Sequence, residues 1–151
     1  MKLGRILNKK LNTAIADMGH GDILIICDAG FPIPTEEQRI DLAIEKDVPT
    51  VEQLLDVISS DFAYERTIIS AEMKDYNRPL YDAIERIAFR CPVEAIPYTE
   101  FMETMPGKAK YIVRSGAFNP YGNIALVSAI DAPRWWNKPG LVVPDAYKGR
   151  V

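Results

Sequence analysis

Three clusters in this 151-residue chain combine residue types and spacing that can do chemistry. Gly19-His20-Gly21-Asp22 sets the only histidine between two glycines. Glycine tolerates backbone angles that other residues resist, so such a turn can hold an imidazole at the surface. An imidazole of ordinary pKa, about 6.5, gives and takes protons near neutrality; a solvated structural histidine fits the same pattern. Asp28 closes the apolar run Ile23–Cys27 and precedes Ala-Gly. Ligands of open α/β sheets bind at the carboxyl ends of strands, although an aspartate there also serves as a turn former. Arg114-Ser-Gly-Ala-Phe-Asn-Pro-Tyr-Gly-Asn123 gathers polar groups and glycines between two apolar stretches, which suits either a pocket for a hydroxylated ligand or a plain hairpin loop.

Several other chemistries lack their signatures. The glycines match neither GxGxxG nor GxxxxGK[ST], and Ser115 has no GxSxG elbow around it, so dinucleotide binding, P-loop chemistry and serine hydrolysis are unsupported. Cys27 and Cys91 form no CxxC pair, which argues against a zinc site or a disulfide framework and predicts two reduced, buried thiols. Desolvation in an apolar strand keeps the Cys27 thiol inert. Trp135-Trp136 could stack on a sugar, but an aromatic pair in a tail equally anchors packing or a subunit contact.

The elements that must position these residues alternate between apolar runs and helical stripes, the mark of an α/β domain. Leu7, Leu11, Ala14, Ile15 and Met18 form a helical stripe that stops at Gly19. Asp22–Asp28 reads as a strand buried on both faces, because its apolar run is continuous, and the prolines and glycine of residues 29–35 mark a loop. Arg39–Ile44 alternates like a short strand. Thr50 and Gln53 have capping-box spacing at the start of a helix over Val51–Ser59. A strand near Thr67–Ser70 and a helix from Asn77-Arg78-Pro79 to Arg90 follow. Val93–Tyr98, Lys110–Arg114 and Tyr121–Ile130 complete the strands, with a short helix around Glu100–Met105 that ends at Pro106-Gly107. From Asp131 the tail has no clear period and is expected to be a loop or an arm laid on a surface.

The size is that of one domain, and 48% hydrophobic residues are enough for a core without disulfides or a metal. Eighteen Lys and Arg against 21 Asp and Glu give a net charge of −3. That balance lacks the basic patch of a nucleic-acid binder, and no apolar window approaches a membrane span. The N-terminal segment lacks a signal peptide's continuous apolar region, so a cytoplasmic location is expected.

These segments together resemble the D-ribose pyranase and L-fucose mutarotase family of sugar-handling proteins. The resemblance is carried by Met-Gly-His-Gly-Asp, the following strand and Cys-Asp-Ala-Gly-Phe-Pro-Ile-Pro, by Arg39-Ile-Asp-Leu-Ala and Val-Pro-Thr, and by Arg-Ser-Gly with Pro-Tyr-Gly-Asn-Ile. It implies a single three-layer α/β/α domain over residues 1–130 with a mostly parallel central sheet of about six strands, and residues 131–151 as a tail of that domain or an interface arm. It further implies His20 as proton donor and Asp28, Tyr121, Gly122 and Asn123 as sugar-binding residues. The implied assembly is a ring-shaped homo-oligomer, a decamer, whose pockets are completed by a neighbouring subunit. The implied activity is interconversion of the ring forms or anomers of a ribose- or fucose-like monosaccharide, without cofactor or metal. Two positions depart from the family pattern: Tyr98-Thr-Glu-Phe101 carries neither the second histidine of the ribose branch nor the arginine of the fucose branch, and Ala117 replaces a usual glutamate. These departures keep open a non-catalytic monosaccharide-binding or sensing protein and a purely structural oligomer.

Overall fold

The computed structural model describes residues 3–88 and 91–150. Helix α1 (Lys9–Asp17) leads into β1 (Ile23–Cys27), β2 (Arg39–Asp41), α2 (Val51–Ser59), β3 (Tyr64–Ser70) and the single-turn α3 (Met73–Tyr76). Then follow α4 (Arg78–Ile87), β4 (Val93–Ile96), α5 (Tyr98–Lys108), β5 (Ala109–Arg114), β6 (Ile124–Ser128), α6 (Ala132–Trp136) and a 3₁₀ turn at Asp145–Tyr147. The six strands form one sheet in the order β2-β5-β1-β6-β3-β4. Pairs β1–β5, β2–β5 and β3–β4 are parallel, while β6 runs antiparallel to both β1 and β3. The sheet is thus mostly parallel, with its one reversed strand in the interior.

Period-two alternation sends each strand's side chains to opposite faces. Leu24, Ile26, Ile69, Val113, Ile124 and Leu126 face helices α1, α2 and α4 through Leu11, Leu55, Ile58, Leu80 and Ile84. Ile25, Cys27, Ile68, Ile112, Ala125 and Val127 face Phe101 and Met105 of α5. Helices on both faces make three layers and explain the continuous apolar run of β1, which burial on either side requires. The Thr50 capping box is formed: Gln53 N–H donates to Thr50 Oγ1, and Thr50 N–H donates to Gln53 Oε1.

Several sequence-predicted boundaries move. The expected strand Tyr121–Ile130 contracts to Ile124–Ser128, because Tyr121 takes a left-handed φ of 55° that no strand accommodates. Strand Arg39–Ile44 shortens to Arg39–Asp41, because its partner β5 ends at Arg114: Leu42 N–H makes the last rung, to the Arg114 carbonyl, and Ile44 N–H turns to the Val48 carbonyl. Tyr98 opens α5 rather than ending β4, and α5 runs through Pro106 and Gly107. A proline so near a helix end costs only a late bond, and Gln38 Nε2 secures that end by donating to the carbonyls of Pro106 and Ala109 at 3.1 and 2.6 Å. Strand β3 starts at Tyr64, three residues earlier than expected. Helix α4 is described to Ile87; residues 89 and 90, where it was expected to end, lie outside the described residues, as do residues 1, 2 and 151. Cys27 is buried as expected, but Cys91 is only half-buried and donates from Sγ to the Tyr64 carbonyl. The tail is not all loop: Asp131 caps α6, accepting from Arg134 N–H at 3.5 Å.

Replacing the capping hydroxyl tests this local reading. Thr50→Ala should destabilise the protein by about 1 kcal/mol, measured as a lower urea midpoint at fixed protein concentration. An unchanged midpoint would remove the cap from the account of α2.

Candidate functional site

Strand β1 carries candidate groups at both ends. At its amino end, Gly21 adopts φ 87°, and Asp22 ties the turn by accepting from Gly19 N–H at 2.7 Å through Oδ2. Gly21 N–H donates to the Ser128 carbonyl, and Ser128 N–H to the Asp22 carbonyl, which pins the turn to β6. His20 stands at the tip, its side chain 45% exposed. The sequence therefore builds an exposed, backbone-fixed imidazole.

Both strands that support this turn lose register beside it. Between Ile23 and Leu24 of β1 the partner in β5 jumps from Ala109 to Tyr111, so Lys110 is extra. Between Tyr64 and Arg66 of β3 the partner in β6 advances only from Ser128 to Val127, so Glu65 is extra. Bulges of this kind re-aim side chains. Lys110 Nζ reaches Asp22 Oδ2 at 2.9 Å, and Glu65 Oε2 lies 3.5 Å from His20 Nε2. The Asp22 carboxyl is held below the ordinary carboxylate range, first by the Gly19 N–H and then by Lys110. Arg150 holds the Glu65 carboxyl down through a 2.7 Å contact, with His20 adding a smaller pull in the same direction. His20 borders a cavity of about 880 Å³ walled by α1, the Ser59–Ala63 turn and Asp131, Arg134 and Trp135 of the tail.

At the carboxyl end of β1, Asp28 Oδ1 accepts from Gly30 N–H at 2.8 Å, while Asp28 N–H donates to Asn123 Oδ1 at 3.1 Å. Asn123 is buried, so its carbonyl positions Asp28 and toward a ligand it is a donor. Gly122 is fixed by sterics, since a Cβ there would lie 2.8 Å from Asn119 Cβ. Asp28 and Tyr121 line a cleft of about 520 Å³ together with Tyr98, Arg114, Ala117 and Phe118. Tyr98 meets Tyr121 edge to face, with ring centroids 5.1 Å apart. Burial, then the charge of Asp28, pushes the Tyr98 hydroxyl's pKa up, so it stays a protonated donor at neutral pH. Glu72 accepts from Tyr98 N–H and so fixes the first turn of α5. Arg114 bonds the Ala29 carbonyl and chelates Asp41, which closes the cleft floor.

The structure thus gathers four predicted binding residues, Asp28, Tyr121, Gly122 and Asn123, at one end of the sheet and leaves His20 at the other. Five strand residues separate the two ends, and a rise of about 3.3 Å per residue makes that more than about 15 Å. Sequence reasoning nominated neither Tyr98 nor Glu65 as a site residue, and it included Arg114 only as the first member of the polar 114–123 cluster. Pro97 was a usable signal that Tyr98 begins a helix; nothing in the sequence marks Glu65 as a bulge. Cys27 takes no part, since burial pushes its thiol pKa up and keeps it protonated. Among the described residues no group of three or more His, Cys, Asp or Glu side chains is placed to hold a metal ion, and no helix is long and apolar enough to cross a membrane.

An α/β/α sheet with polar clefts at both ends of a central strand defines a small-molecule-binding domain of the open-sheet class. The sequence model of the RbsD / FucU transport protein family matches residues 1–131, and the chain belongs to that family. It is 43% identical over 151 residues to D-ribose pyranase 2 of Rubrobacter xylanophilus, covering 100% of this chain and 98% of the relative. It is 36% identical to D-ribose pyranase 1 of Streptomyces griseus, with both chains covered completely. The structure of Bacillus subtilis RbsD complexed with D-ribose superposes with a TM-score of 0.81 at 32% identity, covering 86% of this chain and 98% of that one. The first two relatives match this chain over its whole length, tail included.

The depressed carboxyl of Asp22 gives a pH prediction. A group whose folded pKa lies below its unfolded value stabilises the fold above the unfolded pKa and loses that contribution as pH falls through the folded one. The Gly19 amide resonance should therefore titrate with a midpoint below the ordinary Asp value of about 3.9. A midpoint at or above that value would contradict the role given to Asp22.

Proposed function

We propose that the chain is a monosaccharide ring-form isomerase, a D-ribose pyranase, acting without a cofactor through the open-chain sugar. The single observation that carries the reading is the pairing of an exposed, backbone-fixed imidazole with a separate polar cleft, in a chain 43% identical to a D-ribose pyranase over its whole length. Opening a hemiacetal requires a proton delivered to the ring oxygen while one leaves the anomeric hydroxyl; closing by another hydroxyl reverses both transfers. His20 does this work as proton donor, and positioned acid–base groups contribute about 10²–10⁴-fold. Asp28 accepts hydrogen bonds from sugar hydroxyls, since an ionised carboxylate offers about four acceptor sites and Gly30 uses one. Asn123 and the Tyr98 hydroxyl donate, and the Tyr121 ring and Gly122 shape the wall against which the apolar face of a pyranose rests.

The separation of His20 from Asp28 is reconciled by a homo-oligomer, a decamer in this reading, in which His20 of one subunit meets Asp28 and the 121–123 turn of another. Apolar side chains exposed beside both half-sites support that assembly: Phe118 at the cleft is 66% exposed, and Trp135 at the His20 cavity is 57% exposed. Residues 1–130 constitute the mutarotase domain in this reading, and residues 131–151 an arm laid over its His20 end. The compartment is the cytoplasm, in keeping with the Cys27 thiol.

Exchange spectroscopy by NMR on a panel of reducing sugars tests the activity. The chain should accelerate exchange between pyranose and furanose forms of D-ribose, and His20→Ala should abolish the acceleration while circular dichroism and assembly size stay unchanged. Unaltered exchange in that variant would remove His20 from the mechanism. Asp28→Ala should weaken D-ribose binding by about 1–3 kcal/mol, the cost of leaving a polar partner unsatisfied; wild-type affinity in a titration would take Asp28 out of the pocket.

A further inference from the structure

We infer that Glu65 and Arg150 are positioning residues for His20, and that the segment after residue 131 delivers one of them. The inference rests on His20 being the proton-transfer group proposed above. Two geometric features converge on the imidazole. The register slip at Glu65 turns its carboxylate toward the His20 turn, which is itself bonded to Ser128, the β6 residue paired with Tyr64. Glu65 Oε2 lies 3.5 Å from His20 Nε2. The same oxygen accepts from Arg150 Nη1 at 2.7 Å. Arg150 in turn lies over the Tyr147 ring, which packs on Trp136 of α6, with centroids 5.7 Å apart. The tail is thus a chain of packed groups that ends on the carboxylate facing the histidine.

An imidazole that shuttles protons must present one nitrogen to the substrate and keep the other occupied, because a free ring populates both tautomers. The Glu65 carboxylate, 3.5 Å from Nε2, favours a proton on that nitrogen in both states of the ring; Nδ1 then gains and loses the proton exchanged with the sugar. Arg150 keeps Glu65 ionised and stops it from turning to solvent, to which 23% of its side chain is exposed. The family model stops at residue 131, yet the R. xylanophilus and S. griseus relatives match this chain to its last residue. Arg150 therefore lies beyond the part of the chain that the family model matches.

His20 is the only histidine, so its ¹⁵N imidazole resonances are unambiguous and report the tautomer without any turnover. Glu65→Gln and Arg150→Ala should move those shifts toward a tautomer mixture. The same variants should lower kcat for ring exchange, by about 10-fold for Glu65→Gln and less for Arg150→Ala, with KM changed less than about 2-fold, since positioned acid–base groups are worth about 10²–10⁴-fold in all. Arg150→Lys, which keeps the charge, should recover most of the loss. Unchanged ¹⁵N shifts in Glu65→Gln overturn the inference whatever kcat does, and so does a loss confined to KM. If the wild-type chain accelerates no exchange, the functional reading fails, and the ¹⁵N shifts alone decide the positioning claim.

Discussion

Strand β1 is hydrogen-bonded along both edges, to β5 in parallel and to β6 in antiparallel register, and its side chains are buried on both faces. A strand so enclosed can neither bend nor slide without breaking two ladders and two cores. The distance between its ends is therefore a fixed length of the molecule, and the His20 turn and the Asp28 turn are held at that distance. Everything functional follows from it. Each end is polar and fixed by backbone hydrogen bonds, and one small sugar cannot bridge them within a subunit.

How far this was legible in the sequence depended on the range of the interactions involved. The continuous apolar run gave β1 its place, and the Thr50–Gln53 spacing gave the start of α2, because capping and burial act within a few residues. The Gly-His-Gly-Asp turn was readable as an exposed imidazole for the same reason. Its supports were not. Lys110 and Glu65 owe their directions to slips of register between strands distant in sequence, and no local pattern announces those. Tyr121 was read as the start of a strand because it lies just before the apolar run Ile124–Val127; its positive φ and the close approach of Gly122 to Asn119 are set by the β5–β6 connection. Asn123 was expected among the sugar-binding residues; that its carbonyl also holds the Asp28 backbone, 95 residues away in sequence, was not legible.

The two clefts divide the chemistry in a way that suits a cofactor-free proton transfer. The Asp28 end gathers a carboxylate, an amide and a tyrosine whose hydroxyl pKa is pushed up by burial, groups of the kind that can hold sugar hydroxyls. The His20 end holds the one side chain whose ordinary pKa lies near neutrality. The stretch Tyr98–Phe101 carries neither the histidine nor the arginine that the family resemblance leads one to expect there; its Tyr98 packs on Tyr121 and can donate a hydrogen bond. In the proposed reading, binding and proton transfer fall to different side chains, and the departure at Tyr98 touches binding.

The shared-site account is tested most directly by mixing two impaired proteins. His20→Ala subunits, which accelerate no D-ribose exchange, and Asp28→Ala subunits, assayed at a D-ribose concentration low enough that their weakened binding leaves little exchange, are combined under conditions where mass spectrometry verifies subunit exchange. If one subunit supplies the imidazole and its neighbour the carboxylate, hybrid assemblies contain interfaces with both groups intact, and part of the wild-type exchange rate returns. No recovery in verified hybrids, or full activity in a stable monomer, would contradict a site built between subunits.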